Sequence, residues 1–475
     1  MVSQLRLVRQ KIEDNNIDRK GRKVCTAAAF RVCFVMGKKI VVAGAGHGGL
    51  VAAAKLAQSG FDVTVYEKNS RNELGYDWLD AVDPRAFYEV GLELPKDIRF
   101  EKNGDMRFYN PNLSAPITVE SHGNGSTKIE RKLIYDLLVD YAEKSGVKLV
   151  YNCPVLGPVM DGTRVVGIET PHESIKADLV IDSAGIDSPV RENLPFDCNV
   201  DKSYGYGECF FAYRAYFNKL PAPEPEVPYE IFLMHMGEKG ISWVVTENDC
   251  VDVLVGRTSP ISDEQVQEVI EKMREFSPQI GHEILRGGGK IHHIPVRRPL
   301  SVMVCDGYAA VGDSAYMTMP MNGSGICAAI RAGLMLADTV KADKEEQFSA
   351  ETLWDYNRRY ILHFGLNFAS IDTLKNILLC MSSNGVDFLF DKQIITPNDI
   401  NFNRGKSEST SSFSDMLGRV SRGMGNLPVL LRTAGALSKG DGLKKVYRSI
   451  PEQYEQNAVL KWKEEVLDAT VLMIR

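Results

Sequence analysis

The stretch Lys38-Lys39-Ile40-Val41-Val42-Ala43-Gly44-Ala45-Gly46-His47-Gly48-Gly49-Leu50 reads as a buried strand that runs through a glycine turn into a helix. Ile40 to Ala43 form a short continuous apolar run, as expected of a strand covered on both faces in a parallel sheet. Gly44 permits the tight turn, Gly46 lets the backbone approach a pyrophosphate, and Gly49 lets the helix pack on the strand. The helix from Gly48 to Ala57 turns its unpaired N–H groups and positive dipole end toward such phosphates.

Outward from this unit, Gly60 ends the helix and Phe61 to Glu67 reads as a second strand. Glu67 stands about twenty residues beyond the glycines, where a carboxylate accepts hydrogen bonds from ribose hydroxyls. A bare strand–helix turn beside a solvated glutamate would satisfy the same letters. The complete strand–turn–helix–strand context favours a dinucleotide.

Composition sets outer bounds. With 475 residues the chain can bury a large core and hold more than one domain, and its net charge of −6 gives no support to a nucleic-acid partner. Nine scattered cysteines without a CxxC pair read as reduced thiols of a cytoplasmic protein, neither a disulfide frame nor a metal site. Residues 1–35 imitate a signal peptide, with Arg6, Arg9, Lys11 and other cations ahead of the apolar run from Cys25 to Phe30. Arg31 interrupts that run, and Met36 directly precedes the first strand, so these residues read as a dispensable extension. No run of about eighteen apolar residues exists, so no membrane span is expected; peripheral membrane contact is left open.

Along the chain, Ser70 to Gly125 reads as an irregular excursion over the cofactor rather than part of a regular sheet. Lys128 to Leu138 shows helical spacing of Leu133, Leu137 and Leu138. Val155 to Ile168 reads as paired strands around Asp161-Gly162, and Ala177 to Gly185 as a strand meeting a glycine turn, with Ser188 and Arg191 following. Between Tyr204 and His293, four alternating strands predict an inserted antiparallel sheet whose aromatics fill a core or line an apolar pocket. Val302 to Asp313 reads as a hairpin ending in Gly312-Asp313, and Asp313 can accept from a polyol chain. Pro320 to Ile326 then opens a helix whose N-terminus can face a flavin ring. Residues 346–475 read as mainly helical, with Leu353, Tyr356, Tyr360 and Ile361 on one apolar face and a polar linker at 405–412.

Together these motifs resemble the para-hydroxybenzoate hydroxylase-like flavoproteins and, among them, are most similar to the geranylgeranyl reductase family. The resemblance runs from Lys38 to Asp338. It rests on Gly44 to Gly49 with Glu67, on Asp182 to Ser188 ending at Arg191, and on Gly312-Asp313 followed by Pro320 and Gly323-Ser324-Gly325-Ile326. It implies an α/β fold: a Rossmann-type FAD-binding domain (36–203 and 290–345), an inserted antiparallel substrate sheet (204–289) and a helical C-terminal region (346–475). It also implies FAD as cofactor, Arg131 at the FAD phosphates and the Val155 backbone near the adenine. Gly325 to Gly333 is similar to the helix of prenyl reductases, and Trp243 keeps the tryptophan of that family's YxWxFP strand, a pocket wall for an apolar small-molecule substrate. Ile241, Val245 and Thr246 replace the Tyr, Phe and Pro of that motif, and Gly75 to Trp78 stands where the family has Cys-Gly-Gly.

The activity these readings favour is hydride transfer from reduced flavin to a carbon–carbon double bond of an apolar, isoprenoid-like substrate. A single-component flavin monooxygenase and a flavin redox sensor or electron-transfer protein are the alternatives. Cys327, Tyr316 and Tyr206 are candidate proton donors, each with an ordinary structural reading beside it. No second complete nucleotide unit follows, which leaves NAD(P)H and ferredoxin both open as electron donors.

Overall fold

The computed structural model describes residues 37–95, 104–120, 127–202, 204–205, 207–397, 422 and 424–471. The expected extension at 1–35, Tyr206 and the linker at 405–412 lie outside them. At the centre is a six-stranded sheet in the order Val304–Cys305, Tyr308–Ala310, Leu179–Asp182, Lys39–Ala43, Asp62–Tyr66, Lys148–Val150. Every neighbouring pair is parallel except the first, which is the expected hairpin. Ile40 to Ala43 are wholly buried, with the helix His47–Gln58 and the strand Arg164–Glu169 packed against them, which is why this strand carries no alternation of polar and apolar residues. The helix His47–Gln58 packs between Arg131–Lys144 and Ile326–Ala342. The pairing of Gly157–Asp161 with Arg164–Glu169 follows the sequence reading, and Ser174–Lys176 adds a third strand.

The second large sheet has seven strands, in the order Ile280–Pro295, Cys209–Lys219, Cys250–Arg257, Gly240–Thr246, Tyr229–Leu233, Met106–Tyr109, Ile117–Val119. It is antiparallel except where Met106–Tyr109 runs parallel to Tyr229–Leu233. Side chains alternate between its faces with a period of two. Tyr213, Ala215, Phe217, Val251, Val253 and Val255 pack under the helix Asp263–Phe276 through Val266, Val269, Ile270 and Met273. That helix begins at a capping box of Ser262 and Gln265, and burying a side chain such as Ile270 contributes about 1.5–3 kcal/mol. The intervening residues, including Ala212, Arg214, Asp252 and Leu254, face the other way, into a cavity.

Three readings are corrected. The segment from Ser70 to Gly125 is not merely an irregular excursion: Met106–Tyr109 and Ile117–Val119 extend the broad sheet, and Leu79–Val82 pairs with Thr127–Glu130. Short strands that pair with distant partners leave little periodicity of their own. The helix expected from Lys128 starts at Arg131, because Thr127–Glu130 is committed to that pairing. The broad sheet also reaches beyond the expected 204–289, since its edge strand continues to Pro295.

After Ala342 the chain is helical: Ala350–Tyr360, a wider π-turn over Ile361–Gly365, then Leu366–Cys380, Ser383–Asp391, Leu427–Arg448 and Gln456–Val471. Leu353, Tyr356, Tyr360 and Ile361 are buried together as their spacing predicted. Leu366–Cys380 and Ser383–Asp391 close the open face of the broad sheet.

Candidate functional site

The turn at Gly44 brings three distant segments together. The Gly44 N–H donates to the Tyr66 carbonyl at 2.8 Å, and Ala45 N–H donates to Glu67 Oε2, also at 2.8 Å. Glu67 Oε1 accepts from Asn69 N–H at 2.9 Å, so the carboxylate is fixed at the end of its strand with lone pairs to spare. Gly44 lies at φ +83°, where a Cβ would stand 2.6 Å from the Ser183 carbonyl. At Gly46 a Cβ would be 2.3 Å from Ser183 Oγ, and at Gly49 it would be 2.5 Å from Ser183 Cβ. The room expected at Gly46 for a phosphate is thus claimed first by the protein's own Ser183. Gly48 and Gly333 let the first helix cross Ile326–Ala342, where a Cβ at Gly48 would meet the Ala329 carbonyl at 2.6 Å.

Arg191 ties the second motif to the third. It is fully buried, donating from Nη1 to the Ser314 carbonyl at 2.8 Å and from Nη2 to the Ile186 carbonyl, with its plane over Tyr316. Gly185 N–H donates to Ser314 Oγ at 2.9 Å. Asp182 receives Ser188 Oγ at 2.5 Å and Tyr308 OH at 2.9 Å. These contacts hold the 182–188 turn against Gly312-Asp313.

Neither helix that meets this junction brings a side-chain cap. His47–Gln58 starts at Gly46 and Ile326–Ala342 at Gly325, glycines that offer no capping side chain, and neither first turn holds an acid. Gly49 N–H donates across to Ser183 Oγ at 3.2 Å, and the other leading N–H groups receive no cap from their own helix. His47 Nε2 is buried without a hydrogen-bond partner among the described residues. Burial pushes the imidazole down to about 3, with Arg131 reinforcing and Asp80 opposing the shift. Burial raises the Asp313 carboxyl, against the pull of Arg131. Asp313 Oδ1 lies 3.6 Å from where a Gly325 Cβ would be. Gly312 and Gly323 adopt φ +69° and +70°, and Val155 is half-buried beyond the Glu67 strand end. A neutral imidazole, two helix ends that begin on glycine without an acid and a strand-end carboxylate fit a dinucleotide carrying a pyrophosphate.

Beside the turn Met321–Ile326 opens a cavity of about 380 Å³. One wall joins Arg214, Trp243 and Asp252 of the broad sheet face to Trp78, Lys128 and Arg131 beside the pairing of Leu79–Val82 with Thr127–Glu130. The far end is apolar, made by Leu374, Ile377, Leu389, Phe390 and Ile394 of the C-terminal helices and the turn that follows. Arg214 is held by Asp252 through bonds of 2.9 and 2.6 Å, and its guanidinium stands 5.2 Å from the Trp243 ring and 5.4 Å from that of Trp78. Arg131 is held by Asp80 at 2.6 and 2.7 Å. Burial would push the Asp80 carboxyl up, but Arg131 outweighs it and holds the group below its ordinary range.

A model for FAD dependent oxidoreductases matches residues 125–339, and one for NAD(P)-binding Rossmann-like domains matches 42–97. The chain belongs to the FAD-dependent oxidoreductases. The digeranylgeranylglycerophospholipid reductase of Sulfolobus acidocaldarius is 23% identical over 440 residues, covering 90% of this chain and 96% of that protein. The enzyme of the same name from Methanocaldococcus jannaschii is 26% identical, over 68% of this chain and 81% of its own. A geranylgeranyl bacteriochlorophyll reductase-like protein of Thermoplasma acidophilum shares the fold with a TM-score of 0.66 at 18% identity, across 84% of this chain and 99% of that one. A myxobacterial FAD-dependent halogenase shares it at 0.55 and 17% identity, across 91% and 97%. Among the described residues, no helix is long and apolar enough to cross a membrane.

In this oxidoreductase two of the candidate proton donors, Tyr316 and Cys327, are not among the residues that line the cavity. Tyr316 is buried between Arg191 and Arg297, donates to the Lys202 carbonyl at 2.9 Å and is pushed by burial up to about 12. Cys327 Sγ accepts from Asp83 N–H at 3.3 Å, and burial pushes its thiol up to about 11. Trp243 does line the cavity, and Arg131 faces it while paired with Asp80. The sequence reading missed Arg214, Asp252, Lys128 and the aliphatic end of the cavity. Arg214 inside the run from Cys209 to Phe217, and Asp252 inside Cys250 to Val255, were signals: one charge in an otherwise apolar strand.

Proposed function

We propose that this oxidoreductase reduces a carbon–carbon double bond in an apolar, isoprenoid-type substrate. FAD, when bound, supplies the hydride chemistry. In this reading Gly44, Gly46, Gly49 and Glu67 hold its adenosine and pyrophosphate side, with Arg131 and Val155 nearby. Gly312, Asp313, Gly323, Gly325 and Ile326 hold the flavin side, where the end of the helix from Ile326 stabilises negative charge. Trp243 is a wall of the substrate pocket.

The observation that carries this reading is the cavity itself. It begins at the turn assigned to the flavin and ends among Leu374, Ile377, Leu389 and Phe390, which suits a long hydrocarbon rather than a compact polar ring. The names of the curated relatives agree, since those proteins are reductases of geranylgeranyl lipids. The test is anaerobic: the purified yellow protein is reduced with dithionite and mixed with geranylgeraniol. Return of the oxidised flavin spectrum, with a product two hydrogens richer, is expected. Reoxidation only by oxygen, with a hydroxylated product, would overturn reduction in favour of a monooxygenase. Electron exchange with a protein partner alone would point to the carrier class.

A further inference from the structure

The cavity wall contains three cations, and each is matched by its own carboxylate. Arg214 donates from Nε and Nη2 to the two oxygens of Asp252, and Arg131 does the same to Asp80. Lys128 pairs with Glu247 and lies over the Tyr229 ring at 4.5 Å. The arrangement is also stiff. Asp252 accepts the Trp243 indole N–H at 3.4 Å, and Arg131 stacks on Tyr76 and Trp78 at 4.9 and 5.0 Å. The side chains of Arg214, Asp252, Arg131 and Asp80 all keep less than a fifth of their surface exposed, so water does little to screen them.

An anion entering such a wall must either part a bidentate pair, which strands a buried carboxylate, or lie there without a countercharge of its own. An uncharged oxygen needs much less. A guanidinium has five N–H groups, and Arg214 gives Nε and Nη2 to its aspartate, so its Nη1 can donate to a hydroxyl, carbonyl or ester oxygen. Opposite this wall the aliphatic end of the cavity takes hydrocarbon.

We propose that the cavity selects an apolar chain whose end is an uncharged oxygen function, an alcohol, ketone or ester, over the same chain ending in phosphate. The inference rests on reading this cavity as the substrate site. It assigns the three ion pairs a specificity role: they present hydrogen-bond donors while keeping the net charge of the wall at zero.

The test uses the FAD-loaded protein with geranylgeraniol and geranylgeranyl diphosphate, binding being read from the perturbed flavin spectrum. Wild-type protein is expected to bind the alcohol at least about tenfold more tightly than the diphosphate. Glu247→Gln removes the countercharge of Lys128 at a half-buried site and should tighten diphosphate binding by about tenfold while moving the alcohol by less than about twofold. Should that variant lose its flavin, the wild-type ratio decides alone. A wild-type protein that takes both ligands equally, or prefers the diphosphate, overturns the inference and leaves the reductase reading intact. If neither ligand binds, the reading of the cavity falls and takes the inference with it.

Discussion

The glycine turn and the cavity wall are built in opposite ways. At residues 44–49 the protein omits side chains so that backbone can touch backbone, and Ser183 fills the space that three missing Cβ atoms would need. In the wall, large charged and aromatic groups are packed face to face, and each charge is cancelled locally. The first arrangement cannot tolerate an added methyl group; the second cannot tolerate a lost partner. The glycines of the turn are neighbours in sequence, even though Ser183 reaches them from another strand, whereas Asp80, Lys128, Arg131, Arg214 and Asp252 come from five separate elements.

The largest expected effect is at the turn. Gly46→Val puts a branched side chain where Ser183 Oγ and the Ser183 carbonyl already stand, 2.3 and 2.8 Å from the first added atom. Neither can retreat without moving the strand Leu179–Asp182, so the protein should purify colourless and resist reconstitution with FAD. Gly157→Ala is the comparison: a Cβ there meets nothing closer than 3.8 Å, and the flavin spectrum should be retained. A yellow Gly46→Val protein would mean that the turn has more slack than these contacts allow.

Next is the wall. Asp252→Leu leaves Arg214 buried without its carboxylate, which should cost about 3–5 kcal/mol in urea unfolding. Replacing both, Arg214→Met with Asp252→Leu, should recover most of that loss, because an apolar pair of similar size needs no countercharge. A double variant as unstable as the single would show that the sheet depends on the shape of the pair rather than its charge balance.

This contrast also explains what could be read in advance. The parallel sheet was legible because Ile40 to Ala43, the glycines and Glu67 obey local rules of strand, turn and cap within one unit. The bond from Ala45 N–H to Glu67 and the one from Gly185 N–H to Ser314 Oγ each join two of the segments quoted for the resemblance. Arg191 was legible only as a charge near a turn; its role as a buried tie between two turns depends on Ser314, 123 residues away. Met106–Tyr109 was missed because it and its hairpin partner Ile117–Val119 are only four and three residues long, and they join the sheet through a parallel pairing to the distant Tyr229–Leu233. The apolar end of the cavity was hidden for a similar reason. Leu374, Ile377 and Leu389 follow the spacing of ordinary core helices, and spacing does not reveal that the face opposite them holds a void.

That apolar end gives a smaller effect. Leu389 is fully buried and borders the cavity, so Leu389→Ala enlarges an existing space. The loss of stability should be about 2 kcal/mol, at the low end for such a truncation, because one side of the residue has few atoms to lose. Under the reductase reading, KM for a long-chain alkene should rise while kcat changes little. A fall in kcat at unchanged KM would place the reacting carbon, rather than the tail, beside Leu389.

The smallest effect expected is a pH slope at His47. The unfolded imidazole titrates near its ordinary value of about 6.5, whereas burial in the fold pushes it down to about 3. The stability contributed by keeping this ring neutral is therefore complete above about 6.5 and is lost progressively as pH falls toward about 3, because only the unfolded chain takes up a proton in that window. His47→Gln keeps a polar group at the same place and has no such proton to gain. Its urea midpoint should therefore fall less than the wild-type midpoint between pH 7.5 and pH 5. The difference should be modest, since the residue is only half-buried and solvent softens the penalty. Equal slopes would mean that the ring is charged in the fold. A cation would then stand at the first position of the helix, beside N–H groups that already carry positive charge, and the cradle would attract an anion by that charge as well as by its backbone.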